Sequence, residues 1–86
     1  MEHERIIHIL EYLRRNTDET RTVSIKQIQS HLDRNYNMQS VSPLTIRRDI
    51  ERLTTMGYPI TIKRGAHNTY LYQMETEGFT FNEIRF

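Results

Sequence analysis

The chain has 86 residues, of which 36% are hydrophobic and 27% charged, enough for one small folded domain with a modest core. It contains no cysteine, which excludes a disulfide framework and a thiolate metal site, and no apolar run approaches the roughly 20 residues that cross a bilayer. Net charge is only +1, yet residues 1–20 carry −2, residues 21–72 carry +5 and residues 73–86 carry −2. A positive middle between negative ends has the sign of a local footprint for phosphate. The opening Met1-Glu2-His3-Glu4-Arg5 lacks the basic-then-apolar order of a signal peptide, so a cytoplasmic protein is expected.

The first predicted helix covers residues 3–15. Ile6, Ile9, Leu10 and Leu13 follow three–four spacing, and Ile7 widens the stripe. Arg14 and Arg15 fall in the last turn, where the helix dipole favours cations. Residues 16–22 read as a polar loop. Val23 opens the second helix: Ser24 and Gln27 form a capping box, and Val23 with Ile28 forms the hydrophobic staple around it. Ile25, Ile28 and Leu32 supply its apolar stripe, which fades near Asp33 or Arg34. Residues 34–41 form a polar loop, longer than the tight turn of a minimal helix-turn-helix, with Tyr36 and Val41 pinning it to the core.

The third predicted helix, residues 42–56, has full punctuation. Ser42 is the cap, Pro43 suits the first helical position, Gly57 ends the helix and Pro59 prevents its resumption. Ile46, Ile50 and Leu53 face the core. At about 100° per residue, Leu44, Arg48 and Thr55 point outward, with Thr45 and Arg52 on one flank and Arg47 on the other. A helix with a core face and a basic, donor-rich outer face suits a DNA major groove. Residues 59–64 and 69–73 then read as two strands around the turn Gly65-Ala66-His67-Asn68, with Lys63, Arg64 and His67 near the tip. A two-stranded hairpin is marginal alone, so Ile60, Ile62 and some of Tyr70, Leu71 and Tyr72 should pack it on the helices. The expected fold is α+β: a winged helix-turn-helix, three helices followed by a two-stranded β-hairpin wing.

Near the end, Thr80 and Glu83 form a second capping box with Phe79 and Ile84 at the staple positions. Residues 1–75 are therefore expected to form the domain, and residues 76–86 the start of a linker helix to a further domain. The other reading of the tail is a short terminal helix docked by Phe81 and Phe86.

The run Ser42-x-x-Thr45-Ile46-Arg47-Arg48-Asp49-Ile50-x-x-Leu53, then Gly57-x-Pro59-Ile60, then Tyr70-Leu71-Tyr72, resembles the N-terminal winged-helix domain of bacterial DeoR-type and WYL-domain transcriptional regulators. Phe79-Thr80-Phe81-x-Glu83-Ile84 resembles the segment that leads from that domain into the effector-binding part of WYL proteins. The resemblance implies that the third helix is the recognition helix, with Thr45, Arg47 and Arg48 at the DNA. It also implies that a ligand-sensing domain follows, through which the full-length protein forms homo-oligomers. The chain departs from the pattern in its long loop before Ser42 and in a wing turn poorer in glycine than in many relatives.

The expected partner is double-stranded DNA, met by Ser42, Leu44, Thr45, Arg47, Arg48 and Arg52 on the helix and by Lys63, Arg64 and His67 on the wing. No cofactor, metal or membrane is expected. His3, His8, His31 and His67 have no spacing that suits a metal-binding helix, and no glycine-rich phosphate loop is present, so an enzyme is not expected. Two other readings stand beside DNA binding. A winged helix can serve protein contacts alone, since fold does not fix function. Tyr70 or Tyr72 could also stack on the bases of single strands.

Overall fold

The structure, a computed structural model, describes residues 2–39 and 41–75. Three helices pack around a small antiparallel sheet, which makes the fold α+β. In chain order the elements are α1 (Glu2–Asn16), β1 (Val23–Ser24), α2 (Ile25–Tyr36), α3 (Pro43–Thr55), β2 (Ile60–Arg64), a turn of 3₁₀ helix (Ala66–Asn68) and β3 (Tyr70–Met74). The expected capping box at Thr80 and Glu83, and with it the linker helix, lies outside the described residues.

The helices form where the apolar spacing puts them. Ile9 and Leu13 of α1, Ile28 and Leu32 of α2, and Ile46, Ile50 and Leu53 of α3 are all buried in one core. Burying each such side chain contributes about 1.5–3 kcal/mol. Ile7 does not join them. It is 56% exposed, because one residue on from Ile6 is about 100° around the helix, off the Ile6–Ile9–Leu13 line.

The sheet has three strands where two were expected, in the order β1-β3-β2. Val23 pairs with Tyr72 and Ser24 with Leu71. The capping box is present as well: Ser24 Oγ accepts from the Gln27 amide, and Gln27 Oε1 accepts from the Ser24 amide. The two roles are compatible because a cap residue is extended. Ser24 has φ −97° and ψ 166°, so the residues that start α2 can also serve as a strand. Val23 is buried there, and β1 holds the start of α2 against β3.

The hairpin alternates. Pairing of Ile60 with Met74, Ile62 with Tyr72 and Arg64 with Tyr70 puts these six on one face. Tyr72 is buried on the helices and Ile60 packs against the core, as expected for the hairpin contact; Met74, one residue beyond the expected strand, is buried with them. Ile62 shares their face yet is 52% exposed, because it lines an open groove beside α3 instead of meeting a helix.

α2 runs to Tyr36, two residues past Arg34. Asn37 ends it in the left-handed conformation at φ 56°, where its amide and that of Met38 satisfy the carbonyls of Asp33 and Leu32. The loop that follows is pinned by Val41, as expected, but not by Tyr36. Val41 and Met38 pack against the core, and Gln29 Nε2 donates to the Val41 carbonyl. Tyr36 is 41% exposed and stacks instead on His8 of α1, ring centroids 3.5 Å apart. His31 adjoins this pair. Burial pushes it below the ordinary imidazole range, helped by the charges of His8 and Arg34.

Residues 17–22 are more ordered than a polar loop suggests. Thr17 is buried; its Oγ1 donates to the Leu13 carbonyl and accepts from the Met74 amide, tying the end of α1 to β3. Asp18 Oδ1 accepts from the Thr20 amide and hydroxyl and from the Arg21 amide, and Oδ2 accepts from Arg21 Nε. The Thr20 bonds, with Arg21 behind them, hold its carboxyl down at about 2 from an ordinary 3.8. A depressed acid stabilises the fold above its unfolded value and loses that contribution as pH falls through the folded one. Asp18→Asn should therefore be less stable than the parent at about pH 5, and the difference should close by about pH 2. Urea midpoints of both proteins across that window check it. Parallel curves would mean that the carboxylate contributes nothing.

Candidate nucleic-acid interface

α3 starts as its sequence dictates. Ser42 Oγ accepts from the Thr45 amide at 3.1 Å and lies 3.0 Å from Thr45 Oγ1, and Pro43 sits in the first turn. Ser42 and Thr45 are thus partly engaged with each other. Leu44 is 52% exposed beside them on the outward face. At the other end, Gly57 has φ +109°, a backbone that disfavours any side chain. The chain turns there toward β2, with the Tyr58 amide donating to the Leu53 carbonyl.

The inner face holds the main surprise. Asp49 is 2% exposed and takes both Arg5 Nε and Arg5 Nη2, one on each carboxylate oxygen, the latter at 3.1 Å. This forked ion pair clamps α3 onto α1 directly beneath the outer face. Asp49 follows Ile46 by three and precedes Ile50 by one, so helical angle alone puts it on the core side. A buried carboxylate needs a cation, and that signal could have singled out the pair.

The three arginines of α3 are all exposed, yet they differ. Arg47 turns toward the sheet. Its Cζ lies 5.3 Å from the centre of the Tyr70 ring, and its guanidinium also approaches the Tyr72 hydroxyl. Burial raises the titration of that hydroxyl above the ordinary phenol range, and Arg47 opposes the shift. Arg48 and Arg52 flank a shallow hollow with Thr55 and Met56 on the other side of the helix.

On the hairpin, strand alternation separates the two cations near the tip. Arg64 pairs with Tyr70 on the face that meets α3, its Cζ 5.8 Å from the same ring, whereas Lys63 pairs with Leu71 on the opposite face. His67 is exposed within the tip, at φ 57°, so the left-handed position of the turn belongs to a histidine and not to Gly65, which has φ −99°. Between α3 and the hairpin runs an open groove of about 730 Å³, lined by Arg47, Glu51, Thr54, Ile62, Tyr70 and Tyr72 among others.

The arginines of α1 and its loop are paired. Arg14 and Arg15 pair with Glu11, Arg21 with Asp18, and Arg5 with Asp49. Among the described residues, Arg47, Arg48, Lys63 and Arg64 make no ion pair, and neither do Lys26 and Arg34 on α2. Glu11, Asp18 and Asp49 are taken up by arginines of α1 and its loop, and Glu51 is the exposed acid of α3, so cations outnumber acids on the outer face of α3 and the hairpin. Among the described residues, no three His, Cys, Asp or Glu side chains are grouped to hold a metal ion, and no helix is long and apolar enough to cross a membrane. No family model matches the chain, and neither a curated protein nor a solved structure matches it.

Proposed function

We propose that the chain is a winged-helix domain that binds double-stranded DNA, with α3 as its recognition helix in the major groove and the β2–β3 hairpin as its wing on the backbone or minor groove. In this reading it is the DNA-reading head of a bacterial transcriptional regulator of the DeoR or WYL kind, as the run from Ser42 to Leu53 suggests. The observation that carries the proposal is a cluster of unpaired cations. Arg47, Arg48, Lys63 and Arg64 have no acidic partner among the described residues and gather on α3 and the hairpin, whereas the arginines of α1 and its loop are paired; Lys26 and Arg34 on α2 are unpaired too, but stand apart from that cluster in sequence and element. Surface cations with no fixed partner break no ion pair when they turn to phosphate, and each phosphate met releases condensed counterions.

Each part then has a task. The Ser42 cap fixes the entry of α3, so Leu44, Thr45 and Arg48 in its first turns reach base edges. Arg52 lies further along and meets the backbone. Lys63, Arg64 and His67 follow the strand beside the helix.

A titration of random-sequence duplex at several salt concentrations tests the reading. Log affinity should fall linearly with log salt, and Lys63→Ala with Arg64→Ala should flatten the slope by about two units, roughly one for each phosphate lost. A wild-type protein whose association with duplex is absent or indifferent to salt would defeat the proposal and leave the protein-contact reading of the fold.

A further inference from the structure

Tyr70 meets a cation from α3 and a cation from the hairpin at once. It stands on β3, 36% exposed, at the mouth of the groove. Arg47 arrives from α3 and Arg64 from the neighbouring strand, and both guanidinium carbons lie within 6 Å of its ring centre. By those distances the two guanidinium groups are no more than about 11 Å apart, near the screening length of roughly 10 Å at 0.1 M salt. They therefore repel each other, and neither has an ion-pair partner among the described residues. Glu51, four residues beyond Arg47 and also on the groove, bridges to neither.

We infer that Tyr70 is a positioning residue that gathers Arg47 and Arg64 into a single seat for one DNA backbone phosphate, at the mouth of the groove between α3 and the hairpin. The inference rests on the DNA reading above and assigns Arg47 a different task from Arg48: it holds the backbone and does not read a base. The ring attracts each cation through its π face, which biases two long side chains toward one place before the ligand arrives. A phosphate between them removes their repulsion and accepts forked donation from both. Ordering in advance spares the entropy of immobilising two flexible side chains on binding.

The test compares Tyr70→Ala and Tyr70→Phe with the parent in titrations of random-sequence duplex. Tyr70→Ala should weaken binding about two- to tenfold, the cost of ordering one or two side chains, while Tyr70→Phe keeps the ring and should stay within about twofold. In the parent background, Arg47→Ala and Arg64→Ala should together cost less than the sum of their separate losses, because they share one phosphate. That coupling should vanish when Tyr70 is Ala. Should Tyr70→Ala fail to fold, Tyr70→Leu retains the apolar cover without the π face and takes its place. A Tyr70→Ala protein that binds like the parent overturns the inference. So does a Tyr70→Phe protein as weak as Tyr70→Ala, which would make the hydroxyl the DNA contact, and so do strictly additive arginine losses. A parent that does not bind duplex at all brings down the DNA reading itself, and is told apart because the failure appears before any substitution.

Discussion

Replacing Arg5 with alanine should destabilise the fold by about 3–5 kcal/mol, the usual loss when one partner of a buried ion pair is removed. Asp49→Ala should cost less. The asymmetry follows from geometry: the Asp49 side chain is 3% exposed and short, so without Arg5 its carboxylate is stranded. The Arg5 side chain is 18% exposed and long, so without Asp49 its guanidinium can turn toward water while its stem stays packed. A domain of this size has about 5–15 kcal/mol of stability in all, so Arg5→Ala should be substantially unfolded at moderate urea. The double replacement Arg5→Met with Asp49→Leu should recover most of the loss, because an apolar pair of similar volume carries no desolvation penalty. Urea unfolding of the four proteins decides it. Equal losses for the two single variants would contradict the burial argument. A double variant as weak as Arg5→Ala would mean that the pair supplies a geometry that apolar contact cannot replace.

Most of the fold was legible because its elements carry redundant signals. α3 has a cap, a proline at its start, a glycine past its end and a three–four stripe, and all agree on residues 43–55. The hairpin announces itself through alternation and β-branched residues. β1 was not legible for a specific reason. Two residues are too few to show a period of two, and Val23 and Ser24 were already explained by the start of α2. The extended backbone that a cap requires also exposes amide and carbonyl groups edgewise, and β3 takes them. Ile7 and Ile62 were misjudged by the opposite route. Their type says core, but Ile7 sits off its helix stripe and Ile62 meets a groove, and only packing reveals either.

For the interface, helical angle gave the side of α3 on which each residue lies, and the structure keeps those sides. It could not tell which arginine is occupied. Arg47 differs from Arg48 only because Tyr70 and Tyr72 stand across from it, and those tyrosines are over twenty residues away in sequence. Likewise, Lys63 and Arg64 look equivalent as neighbours in a chain, yet strand alternation sends one toward α3 and the other away from it. Long-range pairing decides both, and a single sequence does not display it.

Under the DNA reading proposed above, these distinctions make Arg48 the expected donor to a base. It is exposed on the outward face of α3, in the N-terminal half from which recognition helices reach base edges. Among the described residues, unlike Arg47, it lies over no aromatic ring and makes no ion pair. A guanidinium that meets guanine O6 and N7 with two bonds contributes about 1–3 kcal/mol of discrimination. Arg48→Ala should therefore weaken binding to a duplex selected from a random pool by about five- to 150-fold, and should blur preference at one base position. On random-sequence duplex the loss should be far smaller. Arg48→Lys separates charge from shape: it keeps the attraction to phosphate but loses the fork, so it should bind random duplex like the parent and still lose the preferred base. Selection of a site with the parent, followed by titration of all three proteins on selected and random duplexes, reads the outcome. Equal losses on the two duplexes for Arg48→Ala, with full rescue by Arg48→Lys, would make Arg48 a phosphate contact and would leave Thr45 and Leu44 as the only side chains in the first turns of α3 able to tell one base from another.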